Sequence, residues 1–423
     1  MQAGIRDPGS EAVIATIDSA RLSTELATLA SFSETPPPAV TRIVFGEMDV
    51  RARAYLKALF AEASLAVRED AVGNTFARWP GGNPELPPVA TGSHCDAIPN
   101  AGRFDGTVGV LGGLEAIRAL QRAGFQPRRS IELVLFTSEE PTRFGIGCLG
   151  SRLLAGALDP SAGETLASNG QSLNQVRGAA GFTGALADVP LAPGSYSAFV
   201  ELHIEQGPLL ERDRIDIGVV TAIAAPASLR VIVDGEGGHA GAVLMPDRHD
   251  AFLAAADIAL AIEAAARGTG AVDTVATTGV CEVFPGAINS VPSRARLDVD
   301  VRDIDLARRD SVLAAIGRAC DDVKARRGVR VRLEPINADP PAQCARPVVD
   351  AIAAACDARR LSHRPMISRA YHDSLFMARI APAGMIFIPC RGGVSHRPDE
   401  YASPDAIAHG TEVLADTLAS LAG

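Results

Sequence analysis

The sequence lacks several features that define whole classes of protein. Its seven cysteines are odd in number and show no C-x-x-C spacing, which argues against a disulfide framework or a cysteine-ligated zinc. No apolar stretch approaches the ~20 residues needed to cross a bilayer. The start, Met1–Pro8, contains no basic segment followed by an apolar one. These absences predict a cytoplasmic protein with reduced, buried cysteines and no membrane partner.

Positive charge is also limited. The formal net charge is −10, no basic run is present, and Lys57 and Lys324 are the only lysines. This balance argues against nucleic acid as a partner, because nucleic-acid-binding domains display clustered basic residues. An acidic protein that handles an acidic substrate needs local cations to hold it.

The order of helical and strand-like segments predicts an α/β protein. A chain of 423 residues is long enough for two domains. Alternating apolar strands and helices predict a mainly parallel sheet with helices on both faces. Between 218 and 330 the pattern changes to the βαββαβ order of a ferredoxin-like unit. We therefore predict one domain from 1–217 and 331–423, interrupted by a second at 218–330.

Histidines and carboxylates cluster in five short segments, most of which follow an apolar, strand-like run. The carboxyl ends of strands in an open α/β sheet form the crevice where ligands bind, so these side chains should converge there. They supply a mixed nitrogen and oxygen set that suits two divalent metals sharing one carboxylate. The segments are Thr91–Asp96, Arg103–Gly106, Thr137–Glu140, Glu201–Gln206 and Val394–His396.

The adjacent residues Glu139 and Glu140 are the most specific local indication of a catalytic metal site. One can bind a metal while the other acts as a base, whereas the alternative is a solvated acidic turn. Asp105 is a candidate metal ligand. The alternative is that it only stabilises the start of a helix, where a negative charge is favourable. Asp96 is predicted to orient His94 by accepting its second N–H, and the alternative is an ordinary polar loop residue.

The other histidines and the glycines are weaker signals. His249, His363 and His409 lie in polar surroundings typical of a surface. His239 lies in the glycine-rich turn Gly235–Gly241, where an ordinary turn role remains open. The glycines from Gly106 to Gly113 lack the spacing of a phosphate-binding turn, which favours close helix packing.

In this order, the five segments resemble the di-metal aminoacylase/carboxypeptidase superfamily, specifically its branch of ureido-compound amidohydrolases. The resemblance extends from about residue 20 to the end of the chain. It implies a catalytic domain at 1–217 and 331–423, and a lid at 218–330 that also forms a homodimer contact. It further implies two divalent metal ions per subunit, with Mn²⁺ favoured over Zn²⁺ or Co²⁺.

The resemblance also implies a role for each matching residue. One metal is expected at His94, Asp105 and His203, and Asp105 bridges to a second metal held by Glu140 and His396. Glu139 becomes the general base, and His239 of the partner subunit polarises the scissile carbonyl. The substrate-binding set is predicted to be Gln206, Asn289, Arg302, Tyr371, His372, Gly392 and Gly393.

Within the branch, four stretches look most like ureidoglycolate amidohydrolases. Tyr371 and His372 are unusual in carrying a phenol and an imidazole, which could hydrogen-bond a substrate hydroxyl. The alternative is a conformational role for this loop. The stretches are Phe136–Phe144, Val220–Leu229, Gly237–Pro246 and Met366–Met377.

These features predict metal-dependent hydrolysis of the ureido C–N bond of (S)-ureidoglycolate, a small anionic substrate, to glyoxylate, ammonia and carbon dioxide in allantoin catabolism. Two alternatives use the same chemistry on allantoate or on an N-carbamoyl-L-amino acid. A more distant one is a non-catalytic metal or ligand sensor. A spare glutamate beside Glu140 argues against a sensor, because a sensor needs no base.

Overall fold

A computed structural model describes residues 15–423, which divide into two compact units. Unit 1 comprises residues 15–221, Cys344–Met366 and His372–Gly423. Unit 2 comprises Ala222–Gln343 and the short segment Ile367–Tyr371. Within the described residues, no helix combines the length and the apolar character needed to cross a membrane.

The first part of the chain alternates helices and strands, as the sequence pattern predicts. The helices are α1 (Ser19–Ser31), α2 (Glu47–Glu62), α3 (Thr107–Arg122), α4 (Leu149–Leu154), α5 (Ala162–Thr165), α6 (Leu173–Ala179) and α7 (Leu209–Asp213). The strands are β1 (Val40–Arg42), β2 (Ala66–Glu69), β3 (Thr75–Trp79), β4 (Val89–His94), β5 (Ala97–Ala101), β6 (Ile131–Phe136), β7 (Ala167–Ser168), β8 (Gln171–Ser172), β9 (Ala198–Ile204) and β10 (Ile217–Ile223).

The middle and the end of the chain complete the two units. The next elements are β11 (Ala225–Asp234), β12 (Gly238–His239), α8 (Ala251–Gly268), β13 (Val275–Phe284), β14 (Ser290–Val291), β15 (Arg294–Asp303), α9 (Leu306–Arg327), β16 (Arg330–Ala338) and β17 (Ala342–Gln343). The last ones are α10 (Arg346–Arg359), β18 (His363–Ser368), α11 (Asp373–Met377), β19 (Ala383–Ile388) and α12 (Pro404–Ala422).

The sheet of unit 1 confirms the predicted α/β class but is mixed in direction. Its strand order is β10-β19-β9-β4-β6-β3-β2, and β18 also pairs with β10. The four central strands, β19, β9, β4 and β6, are parallel, whereas the outer pairs are antiparallel. The short turn between β2 and β3 accounts for the direction of that pair, because a tight hairpin can join only antiparallel strands. The expectation of a mainly parallel sheet therefore holds only for its centre.

Both faces of this sheet are buried, as expected for strands covered by helices on both sides. In β6, Leu133 and Leu135 pack into one core, whereas Val134 and Phe136 pack into the other. Helix α3 lies close to the strands because it is rich in glycine: a Cβ at Gly109 would lie 2.4 Å from the carbonyl oxygen of Leu202. Close packing of the glycine run, predicted from its spacing, is confirmed.

Unit 2 contains an antiparallel sheet with the order β13-β15-β11-β16. Numbered along the unit, the order is 2-3-1-4, the arrangement of a βαββαβ ferredoxin-like unit. Helices α8 and α9 cover one face, where residues such as Ile258 and Ile316 join a core with Val231 and Val299. Because β16 completes this sheet by pairing with β11, the unit extends beyond the predicted range 218–330.

Candidate active site

Parallel pairing brings the predicted ligands of unit 1 to one rim of the sheet. His94 is the last residue of β4, His203 lies one residue before the end of β9, and Glu139 follows β6. These three strands are adjacent and parallel, so their carboxyl ends meet at the same edge. His94, Glu139 and His203 are all buried.

Asp105 lies at the centre of the group, and its two carboxylate oxygens face different partners. Its Oδ1 is 3.4 Å from Nε2 of His94 and 3.2 Å from Nε2 of His203. Its Oδ2 is 3.4 Å from Nε2 of His396. A carboxylate in this arrangement can join two cations, one on each oxygen.

The second group is formed by Asp105, Glu140 and His396. Glu140 Oε1 lies 3.3 Å from Nε2 of His396. In this group, and in the group of His94, Asp105 and His203, the candidate ligand atoms all lie within 4.8 Å of one another. The structure thus brings all five predicted metal ligands together, although their roles as ligands remain predictions.

Glycine at position 106 makes the first group sterically feasible. Gly106 has a φ of 64° just before α3, a conformation that residues with a Cβ rarely adopt. A Cβ there would lie 2.4 Å from Nε2 of His94. Any other residue would therefore displace the imidazole from Asp105.

The donor chemistry fits a pair of divalent cations. Imidazole nitrogens and carboxylate oxygens 3.2–3.4 Å apart repel through their lone pairs unless a proton or a cation lies between them. Hydrogen bonds to Asp105 and Glu140 raise the pKa of His396 to about 11, which shows that these two carboxylates strongly favour a cation at that position. Three imidazoles with carboxylates and no thiolate suit Mn²⁺, Zn²⁺ or Co²⁺.

Glu139 has the surroundings of a general base. It is 8% exposed, and its Oε2 lies 3.7 Å from Nε2 of His94. Burial, together with the charges of Glu140, Asp373 and Asp105, raises its pKa well above the usual range, although the charge of His94 opposes this effect. The thiol of Cys148 approaches its Oε1 at 3.5 Å and donates to it. Sequence reasoning missed Cys148, because a lone cysteine carries no signal.

Asp96 has a wider role than the one predicted. The Nδ1 of His94 lies 3.1 Å from the Asp96 backbone carbonyl and 3.6 Å from its carboxylate. The carboxylate accepts the backbone N–H groups of Glu139 at 3.1 Å and of Glu140 at 3.0 Å. Asp96 therefore orients the histidine and the two glutamates together.

The predicted substrate-binding residues of unit 1 differ in their local contacts. The Nε2 of Gln206 donates to Asp105 Oδ2 at 2.6 Å. His372 is buried, and its ring packs edge-on against that of His203 with centroids 4.6 Å apart. Gly392 and Gly393 form a short 3₁₀ turn with φ values of 64° and 67°. Gln206 and His372 thus adjoin the candidate ligands.

Unit 2 contains the other predicted contacts. His239 is exposed in β12, and the backbone N–H of Ala240 donates to the carbonyl of Asn289, which places these segments side by side. The Nδ1 of His239 accepts the N–H of Gly241 at 3.2 Å. In a neutral ring this puts the proton on Nε2, where it can be donated to a ligand.

Arg302 and Tyr371 have partners within unit 2. Arg302 makes a two-pronged contact with Asp300 and donates to the carbonyl of Arg369 at 3.0 Å. The hydroxyl of Tyr371 donates to Asp339. This bond favours the conformational role that the sequence left open for Tyr371.

A buried glutamate was also missed by sequence reasoning. Glu201, in the middle of β9, accepts the hydroxyls of Ser93 at 2.8 Å and Ser374 at 2.6 Å, and the backbone N–H of Ser374 at 3.1 Å. It thereby ties β4, β9 and α11 together beneath His203. A charged residue within the apolar run of β9 was the available signal.

Comparison with known proteins identifies the family of this chain. The family model described as peptidase family M20/M25/M40 matches residues 90–420. The chain belongs to that family. An Arabidopsis thaliana protein named ureidoglycolate hydrolase is 54% identical over 414 residues, covering 96% of this chain and 87% of that protein.

Solved structures of AtUAH are also similar. The complexes of AtUAH with (S)-hydroxyglycine and with glyoxylate each have a TM-score of 0.89 and 53% identity, covering 97% of this chain and 99% of that one. The resemblance to ureido-compound amidohydrolases stated from the sequence is confirmed, and the protein is a hydrolase. The M20 family is typically metal-dependent, and residues 15–423 contain groups able to hold cations.

Proposed function

We propose that this M20-family hydrolase cleaves the ureido C–N bond of (S)-ureidoglycolate and takes part in allantoin breakdown. The observation that carries the proposal is Asp105, whose two oxygens face different candidate metal ligands beside Glu139. The similarity to ureidoglycolate hydrolase and to AtUAH with (S)-hydroxyglycine or glyoxylate supports this choice of substrate.

We propose that the protein binds two cations. One would be held by His94, Asp105 and His203, and the other by Asp105, Glu140 and His396. When bound, they would lower the pKa of a water molecule and polarise the ureido carbonyl. We favour Mn²⁺, although the donor set also accepts Zn²⁺ or Co²⁺.

Glu139 is proposed to move the protons. It takes a proton from the attacking water and returns it to the substrate nitrogen as the C–N bond breaks. This step yields carbamate and hydroxyglycine. Carbamate releases ammonia and carbon dioxide, and hydroxyglycine loses a second ammonia to give glyoxylate. One glyoxylate should therefore accompany two ammonia molecules.

The proposed substrate contacts are those predicted from the sequence. The Nε2–H of His239 of the partner subunit stabilises charge on the carbonyl oxygen. Arg302, Asn289 and Gln206 hold the substrate carboxylate through charge-assisted hydrogen bonds. We also propose a homodimer formed through unit 2, where Phe252, Leu253 and Leu260 of α8 are exposed.

The test is a product count. Protein reconstituted with Mn²⁺ is offered ureidoglycolate, allantoate and N-carbamoyl amino acids, and both ammonia and glyoxylate are measured. We expect the highest kcat/KM with (S)-ureidoglycolate and two ammonia per glyoxylate. Preference for allantoate or a carbamoyl amino acid would move the assignment to those alternatives. If none of the three substrates gives metal-dependent ammonia release, the result would favour the alternative of a non-catalytic metal or ligand sensor.

A further inference from the structure

The second group of candidate ligands depends on two segments far apart in the chain. Asp105 lies in the segment of residues 102–106, and His396 lies in the segment of residues 394–401. Ser395 and Asp105 are 290 positions apart in sequence. Neither segment is a regular strand, so the sheet alone does not hold one against the other.

Glu400 joins the two segments through the backbone. It is 5% exposed, and its Oε1 accepts the N–H of Phe104 at 2.8 Å and of Asp105 at 3.1 Å. This close approach requires Gly102, because a Cβ there would lie 2.3 Å from the Cβ of Glu400. The backbone that carries the Asp105 side chain is therefore fixed by Glu400.

Ser395 joins the same segments through side chains. Its hydroxyl donates to Asp105 Oδ2 at 2.6 Å and lies 3.0 Å from Glu400 Oε2. The ring of Phe104 also packs edge-on against that of Tyr401, with centroids 6.0 Å apart. Three separate contacts thus connect the loop of the shared carboxylate to the loop of His396.

The backbone of His396 needs this support. Its φ of 58° lies in the left-handed region, which residues other than glycine seldom adopt. His94 and His203 are instead held by paired strands. The second group therefore has two members, Asp105 and His396, on these loops, whereas the first has only Asp105.

We infer that Glu400 and Ser395 are positioning residues that set the affinity of the second cation by holding Asp105 against His396. This rests on the proposed function, because it assumes that the two groups bind cations. Hydrogen-bonding partners that orient metal ligands typically change metal affinity by about 10–100-fold when they are removed.

The test measures Mn²⁺ binding to the full chain by calorimetry and by the electron paramagnetic resonance of the bound ions. The variants are Glu400→Ala, Glu400→Gln and Ser395→Ala. Glu400→Gln keeps an oxygen for the two backbone N–H groups and should restore much of the affinity. Glu115→Ala is the control for loss of a buried glutamate, because Glu115 is also buried and accepts the backbone N–H of Asp18 at 2.9 Å, outside both segments.

We expect Glu400→Ala to weaken the second Mn²⁺ by about 10–100-fold, more than it weakens the first, and to remove the signal of a coupled Mn²⁺ pair. Ser395→Ala should have a smaller effect in the same direction, and Glu115→Ala none on Mn²⁺ affinity. Wild-type affinity for both ions in Glu400→Ala, or an equal loss in Glu115→Ala, overturns the inference. If Glu400→Ala does not fold, unchanged binding of both ions in Ser395→Ala overturns it. If the wild-type chain binds no pair of cations, the proposed function fails instead.

Discussion

The two units hold their candidate functional side chains in opposite ways. In unit 1, Asp105 is buried together with His94, His203 and Glu140, whereas His396 is exposed, and hydrogen bonds from Gln206 and Ser395 restrain the carboxylate. In unit 2, His239 and Asn289 are exposed in neighbouring turns. Preorganised groups suit a tight metal centre, whereas exposed donors suit residues that meet the substrate only when it binds. Metal binding should therefore depend on unit 1, whereas the exposed residues of unit 2 should affect substrate binding.

Metal removal should have the largest effect on activity, and it tests whether unit 1 contains a metal centre. A chelator should abolish ammonia release from ureidoglycolate, and Mn²⁺ should restore it. Mn²⁺ at 100 times its dissociation constant should also stabilise the fold by about 2.7 kcal/mol per site, measured as a rise in Tm. Full activity after exhaustive chelation would contradict a metal centre in unit 1.

Glu139→Gln should give the next largest effect. Loss of the base should lower kcat by about 10²–10⁴-fold, because general acid–base catalysis is of that order. Mn²⁺ stoichiometry, measured by calorimetry, should remain two. Glu140→Gln is the contrast, since it should weaken the second cation. Near-normal turnover in Glu139→Gln would reject its role as base.

His239→Ala tests the unit 2 side. Loss of a donor to the developing oxyanion should lower kcat by about 10²–10³-fold without changing Mn²⁺ affinity. His249→Ala is the matched control, because that ring lies in the same unit and contacts the carbonyl of Arg327. A change in metal affinity in His239→Ala would contradict the assignment of metal binding to unit 1 alone.

Arg302→Gln should act mainly on substrate binding. A charge-assisted hydrogen bond contributes about 1.5–3 kcal/mol, so KM should rise by about 10–100-fold. Arg230→Gln is closely matched, because Arg230 makes a two-pronged contact with Asp298 in the same sheet, as Arg302 does with Asp300. Equal effects of the two variants on KM would point to sheet stability rather than substrate recognition.

Tyr371→Phe should have the smallest effect on catalysis. The hydroxyl donates to Asp339, so its loss should lower the free energy of unfolding by about 1 kcal/mol. The ratio of kcat/KM for ureidoglycolate to that for an N-carbamoyl amino acid should not change. A marked fall in that ratio would instead support a contact with the substrate hydroxyl.

Much of the fold could be predicted because it follows from local patterns. The apolar run Ile131–Phe136 forms β6 with the same bounds, and the βαββαβ order of unit 2 follows from alternating periodicities. The antiparallel edges of the large sheet were missed, since strand direction depends on which strands become neighbours. The predicted end of the inserted domain came too early because β16 continues to Ala338.

The sequence by itself determined which side chains stand at strand ends, because apolar periodicity marks each strand and the next polar residue falls at the rim. It also determined the glycines that let α3 approach the sheet. Only the tertiary structure decided that Asp105 turns one oxygen to His94 and His203 and the other to His396. It alone revealed the contacts of Asp96 and Glu400, because hydrogen bonds between segments 43 to 296 positions apart leave no local pattern.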